Sequence, residues 1–322
     1  MSPVSSGREA HEEARERPND AVKRPCCRMH FRACVVTDGF DPKRPYPVCA
    51  LHSGGIERGG QVLRTKGVSV SPVAVVTASD SGIGQESAKE LAANGFDIGI
   101  TYRADEAGAQ ETLEAVRAAG CRGEVRRLDL TELPAAADVI DDLADSLGGV
   151  DVLVNNAGTG DPTGKFLELP YEEWQQVINT NLSGAFLCAQ RAGRRMVDAG
   201  NGGRIINITS VHEHVPRTGA SAYCASKSGL GLLTKVMAME LAEHGILVNA
   251  VGPGEISTPM TGAEDEDPTT IERPNLPLGR PGHAREIASW VAFLASEKSS
   301  YATGASFVVD GGLTLMAAEL SS

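Results

Sequence analysis

Nowhere does this chain hold an apolar run near the roughly 18–20 residues that a membrane helix needs, so no spanning segment is expected. Positive charge is also scarce. Thirty Lys and Arg face 42 Asp and Glu, a net of −12. Non-specific nucleic-acid binding requires a basic surface, so that class is excluded. The opening MSPVSSGREAHEEARERP is charged and carries no apolar stretch, so it does not read as a secretory leader. No segment repeats at a fixed period. Of seven cysteines, Cys121, Cys188 and Cys224 show no framework spacing. That pattern fits a reducing, cytoplasmic setting.

What is present divides in two. Residues 1–71 hold 12 Lys and Arg against 8 Asp and Glu, a net of +4, which leaves −16 for the remainder. Four cysteines (Cys26, Cys27, Cys34, Cys49) fall in that early region with His30 and His52. Their spacing matches no usual paired-ligand zinc pattern, so no metal is expected. Rich in Gly, Pro, Arg and Ser and without periodicity, residues 1–70 read as a poorly ordered N-terminal extension. A metal-binding or interaction module is the competing reading. The rest, 71–322, has the composition of one globular domain.

From Val73 onward, short β-branched runs alternate with helical stretches. Strands are predicted at 73–77, 97–101, 125–128, 150–154, 204–208, 247–251 and 306–309. Helices are predicted at 83–94, 107–119, 135–146, 171–199 with a break, 222–244 and 284–296. Alternation of this kind implies right-handed crossovers and a mostly parallel sheet covered on both faces. Ligands then bind beyond the carboxyl ends of the strands, so the chemistry is sought just after each one.

After the first strand, Thr77-Ala-Ser-Asp-Ser-Gly-Ile-Gly84 leads straight into a helix start. Gly82 and Gly84 let backbone approach a ligand, and the helix N-terminus offers free N–H groups to a pyrophosphate. Alone, this is equally a tight turn. Asp129-Leu130 follows the third strand, where a lone Asp is commonly a helix cap. Asn155-Asn-Ala-Gly158 follows the fourth, Thr209-Ser210 the fifth, and Gly252-Pro-Gly254 with Ile256, Thr258 and Pro259 the sixth. The sharpest signal is Tyr223-Cys-Ala-Ser-Lys227. Its i, i+4 spacing puts a phenol and an ammonium on one helix face. The ammonium favours phenolate and lowers a phenol pKa that is otherwise near 10. An ordinary amphipathic pair would have the same spacing. What separates the readings is that every signal falls in order at successive strand ends.

With these elements in place, 71–315 resembles the short-chain dehydrogenase/reductase family. The likeness rests on TASDSGIG (77–84), DL (129–130), NNAG (155–158), NTNL (179–182), NITS (207–210), YCASK (223–227) and GPGEISTPM (252–260). It implies an α/β fold, a Rossmann-type doubly wound seven-stranded parallel sheet in one domain, usually assembled as a homotetramer or homodimer. By the same resemblance, Tyr223 is the general acid/base, Lys227 holds the nicotinamide ribose and lowers the tyrosine pKa, and Ser210 binds the substrate oxygen. Asn181 fixes a helix break and holds a relay water. Asn155 supports the sheet. Cofactor contacts are implied for Thr77, Ser79, Ser81, Gly82, Ile83, Gly84, Tyr102, Arg103, Asp129, Leu130, Asn156, Ala157, Gly158, Tyr223, Lys227, Pro253, Gly254, Ile256 and Thr258. Ser-Val-His-Glu (210–213) and the tail at 301–312 resemble bacterial glucose 1-dehydrogenases and uncharacterised oxidoreductases near them. His212 and Glu213 are placed either to meet a sugar hydroxyl or to form a subunit contact.

Two positions depart from the family. Ala78 stands where Gly is usual, and the turn is expected to keep φ below zero so that cofactor binding survives. Asp80 is expected to cap the following helix. The second strand ends in Tyr102-Arg103 rather than an acidic residue. Arg suits a 2′-phosphate, so NADP is expected, with NAD as the alternative. A small neutral ketone or sugar is the expected substrate. The competing readings are a 3-oxoacyl thioester reductase and a catalytically silent, cofactor-binding regulatory protein, the latter opposed by the complete Ser210, Tyr223 and Lys227 set. Residues 261–278, acidic at 264–267, read as a specificity lid.

Overall fold

The computed structural model describes residues 71–160, 164–262 and 267–316. The expectations for residues 1–70, the zinc reading included, lie outside the described residues, as does much of the acidic stretch of the lid. The described residues belong to one compact unit.

In chain order the elements begin β1 (Val73–Val76), α1 (Gly82–Ala93), β2 (Asp97–Tyr102), α2 (Glu106–Ala118), β3 (Gly123–Arg127), α3 (Val139–Leu147) and β4 (Val152–Asn155). There follow α4 (Tyr171–Ile178), α5 (Gly184–Ala199), β5 (Gly203–Ile208), α6 (Ser221–Leu241) and β6 (Ile246–Pro253). Last come β7 (Ile256–Ser257), β8 (Gly282–His283), α7 (Ala284–Ala295) and β9 (Ser306–Val309). Seven strands form one sheet in the order β3-β2-β1-β4-β5-β6-β9, every pairing parallel.

Side chains of a strand alternate between faces, and two cores result. Ala74, Val76, Val152, Val154, Ile206 and Ile208 point to one face. There they meet Leu91 of α1, Leu113 and Val116 of α2, and Ile287, Val291 and Leu294 of α7. Val75, Leu153, Ile205, Ile246 and Val248 point to the other, against Ile140 and Leu143 of α3, Cys188 and Met196 of α5, and Ala238 of α6. Burial on both faces explains why these strands read as unbroken apolar runs. Strand order reverses between β1 and β4, so their carboxyl ends diverge and open a crevice there.

Where the structure differs from the sequence reading, the reasons are local. The helix expected from Ala135 starts as a 3₁₀ turn over Ala135–Asp138, and α3 begins only at Val139. The break in 171–199 is a π-helical turn, Asn179–Ser183. The parallel pairing of β7 with β8 was not foreseen, because two residues carry no period.

Candidate active site

The turn from β1 into α1 is held rigidly. Thr77 Oγ1 accepts from the backbone N–H groups of Asn156 and Ala157, both at 2.9 Å. Asn156 Nδ2 donates to the carbonyls of Thr77 (3.0 Å) and Ala78 (2.9 Å). Ser79 is fully buried: its hydroxyl donates to Val76 O and accepts from Thr101 N. A Cβ on Gly84 would overlap the Ala78 carbonyl and Asn156 Nδ2, so the glycine permits close helix–turn packing. Thr77, Ser79 and Gly84 therefore form the floor of the site instead of lining it.

Two expectations about this turn are corrected. Ala78 adopts φ +51°, in the left-handed region, not φ below zero. The conformation is imposed by its carbonyl on Asn156 Nδ2 and by its N–H, which donates to Thr101 Oγ1 at 2.9 Å. Asp80 does not cap α1. The N-cap is Ser81, and no side chain caps there. Asp80 instead faces the crevice, its carboxyl raised above the usual range chiefly by burial, with Asp105 adding to the shift and Arg103 opposing it.

A cavity of about 270 Å³ lies over this floor. Of the residues named from sequence, Ser81, Gly82, Ile83, Arg103, Asp129, Leu130, Asn156, Ala157, Gly158 and Thr258 line it. Tyr102, Tyr223, Lys227, Pro253, Gly254 and Ile256 do not. Ala78, Asp80, Leu128, Thr131, Thr159, Thr180, Pro259 and Met260 line it and were not named as contacts. Most of these adjoin the quoted motifs, and adjacency was the available signal. At the outer end, Asp129 Oδ1 accepts from the N–H and hydroxyl of Thr131, and Oδ2 from Arg127. These contacts, the Thr131 hydroxyl first, hold the Asp129 carboxyl below its ordinary range despite an opposing burial effect.

The inner end gathers residues from distant elements. Ser210 lies two residues past the end of β5 and is 6 % exposed; its Oγ accepts from His212 N at 3.2 Å. Lys227 is 4 % exposed, donates from Nζ to Ile208 O at 2.9 Å, and lies 5.6 Å from the Tyr223 ring centre. Burial pulls its ammonium down to about 8. The His212 ring sits edge-on to Tyr223, centroids 6.1 Å apart. Asn181, in the π turn, accepts from Thr159 N (2.8 Å) and donates to Thr159 O (3.0 Å) and Ser226 Oγ (3.2 Å). A Cβ on Gly158 would lie 3.4 Å from Asn181 Oδ1 and 3.5 Å from Lys227 Nζ, so the Gly158 backbone is flanked by both. Asn155 Nδ2 donates to Ala185 O and Asn207 Oδ1, tying β4 to α5 and β5.

Glu213 closes the frame. Its buried carboxylate accepts from Ser306 Oγ at 2.9 Å, and its carbonyl accepts from Ser228 Oγ of α6 at 3.0 Å. It lies against Gly231, where any Cβ would collide with its side chain. The turn after Ser210 is thus anchored to both α6 and β9.

The lining of this cavity suits the phosphate-bearing part of a dinucleotide. The N-terminus of α1 opens onto it, Gly82 and Gly158 present bare backbone, and the buried Thr180 Oγ1 on its wall has no hydrogen-bond partner among the described residues. Ser81, Gly82, Ile83, Asn156, Gly158 and Thr258 would hold such a group.

A family model described as enoyl-(acyl carrier protein) reductase matches residues 77–314. The uncharacterised oxidoreductase YohF of Escherichia coli K12 is 52 % identical over 246 residues, spanning 76 % of this chain and 97 % of that protein. The crystal structure of acetoin dehydrogenase YohF from Salmonella typhimurium superposes with TM-score 0.72 at 55 % identity, covering 76 % of this chain and 96 % of that one. That of acetoin dehydrogenase from Enterobacter cloacae gives 0.73 at 51 %, covering 77 % and 97 %.

Proposed function

Since the chain belongs to the short-chain dehydrogenase/reductase family, oxidoreductases acting on CH–OH donors, we propose that it interconverts a small neutral ketone and its secondary alcohol. Tyr223 serves as proton donor and acceptor. The observation supporting this reading is a chain of contacts beside Gly158: Ser210 Oγ to His212 N, the His212 ring to the Tyr223 ring, and Lys227 Nζ 5.6 Å from the Tyr223 ring centre. In the reducing direction the substrate oxygen sits between the Ser210 hydroxyl and the Tyr223 phenol. When bound, the nicotinamide supplies or accepts the hydride. Ser210 donates a hydrogen bond as negative charge grows on that oxygen, and Tyr223 delivers its proton there. The Lys227 ammonium stabilises the phenolate left behind. Asn181 positions the loop that carries Gly158 and Thr159.

For cofactor we propose NADP over NAD. Arg103 lines the outer end of the cavity, no acidic residue ends β2, and a guanidinium suits a 2′-phosphate. For substrate, similarity to two proteins described as acetoin dehydrogenases supports a small oxygenated ketone. The outer faces of α5 and α6 expose Phe186, Leu232, Val236 and Met239, which supports a homodimer or homotetramer, in the cytosol. The test is NADPH and NADH oxidation against butane-2,3-dione, 3-hydroxybutan-2-one, glucono-δ-lactone and a 3-oxoacyl thioester. Turnover of the four-carbon ketones, with kcat/KM favouring NADPH, is expected. Exclusive turnover of the thioester would overturn the substrate reading, and a clear NADH preference the cofactor reading.

A further inference from the structure

One charged group on the cavity wall takes no part in the reaction proposed above. Asp80 is half-buried and lines the cavity together with Arg103. Burial, foremost, raises its carboxyl above the ordinary range; Asp105 adds to the shift and Arg103 opposes it. Both act through charge alone. Among the described residues the carboxyl is met by its own backbone and by no donor from another residue. Asp105, at the N-terminus of α2, is itself engaged, its Oδ1 accepting from Gly108 N at 3.0 Å. The other elements around Asp80 bring no further charge: α1 opens with Gly82-Ile-Gly-Gln85, and Thr258, Pro259 and Met260 line the same cavity. Asp129, the remaining carboxylate on the cavity, is taken up by Thr131 and Arg127. An unpartnered carboxylate thus shares a small cavity with the guanidinium suited to a phosphate, and an ionised Asp80 repels any phosphate brought to Arg103.

We propose that Asp80 is a specificity-determining residue that accepts a 2′-phosphate best when it carries a proton, so that the preference for NADP over NAD rises as pH falls. This rests on the proposed role of Arg103 and refines it. A phosphate beside Asp80 favours the neutral carboxyl, so binding takes up a proton from solvent. By linkage, acid then strengthens binding by the same factor. The neutral carboxyl also turns from a repelling charge into a donor for a phosphate oxygen. NAD has a hydroxyl at that place and brings no such charge, so its affinity lacks this dependence.

The experiment is calorimetry of NADP and NAD binding, without substrate, to the full-length protein and to Asp80→Asn, Asp80→Ser and Arg103→Ala, from pH 8 down to about pH 6, where a phosphate monoester also titrates. The titration of Lys227 is common to both cofactors, and that of the phosphate to all the proteins, so neither enters the comparison. At pH 8, Asp80→Asn is expected to bind NADP about fivefold tighter than wild type, the factor for two unit charges about 4 Å apart in water. NAD should gain less. The advantage should shrink toward the acid end. Wild type should also take up a fraction of a proton more than Asp80→Asn on binding NADP, read from buffers of different ionisation enthalpy. Asp80→Ser, equally neutral, should reproduce the pattern. An advantage that does not change with pH, equal proton uptake, or an equal gain for NAD overturns the proposal and leaves the NADP reading intact. If Arg103→Ala leaves the ratio of NADP to NAD affinity unchanged, that reading fails and the proposal falls with it.

Discussion

The two ends of the crevice are built on different principles. The inner end draws Ser210, Tyr223, Lys227 and Asn181 from three separate parts of the chain, the turn after β5, α6 and the π turn, and three of the four residues are almost wholly buried. Their hydrogen bonds span many residues, as in Lys227 to Ile208 and Asn181 to Ser226. The outer end is made of contacts between residues close in sequence, such as the half-buried Asp129 with the exposed Thr131 and Arg127. Burial fixes position and tunes charge inside. At the rim, solvent weakens each charge, and ligand choice is a small difference between opposing groups.

The largest expected effect tests the inner end. Between pH 8 and 10.5 the unfolded chain holds the Lys227 proton while the folded one has lost it, so folding gains stability as pH rises through that window. The gain is on the order of 3 kcal/mol. Lys227→Met should abolish that rise, measured by urea unfolding of the cofactor-free protein at several pH values; parallel curves for both proteins would show that the lysine is not desolvated. Next is Gly231→Ala, which must displace the Glu213 side chain. It should cost about 2 kcal/mol and lower kcat by shifting the Ser210 turn. An unaltered kcat would mean that Glu213 does not hold the inner end in place.

Ala78 joins the two ends. Relieving its left-handed conformation with Ala78→Gly should raise stability by about 1 kcal/mol and leave cofactor affinity intact. A drop in Tm would show the turn to be unstrained. The smallest effect belongs to the rim. Asp80→Asn removes a negative charge facing the cavity and should raise kcat/KM for NADPH about fivefold, near the ~1 kcal/mol of two charges at 4 Å in water. Equal gains with NADH would show that Asp80 does not sense the 2′-phosphate.

This contrast also governs what could be read from the sequence. The seven-stranded parallel sheet was legible, because strands buried on both faces require apolar runs, and the i, i+4 spacing of Tyr223 and Lys227 placed both on one face of α6. The rim was less so. Asp80 reads as a cap because an acid before a helix often is one, yet the chain reaches α1 with Ser81 at the cap position. Ser79 and Gly84 read as ligand contacts because they stand in a phosphate-binding pattern; tertiary packing uses them as floor. The φ of Ala78 is set by Asn156 and Thr101, partners 78 and 23 residues away, which no local propensity reveals.

The central claim is that the Tyr223 phenol transfers the proton. The most direct test is single-turnover reduction of 3-hydroxybutan-2-one by Tyr223→Phe with NADPH prebound. The account predicts a rate about 10³-fold below wild type with cofactor Kd essentially unchanged. A rate within about tenfold of wild type, too small a loss for a removed general acid, would contradict it.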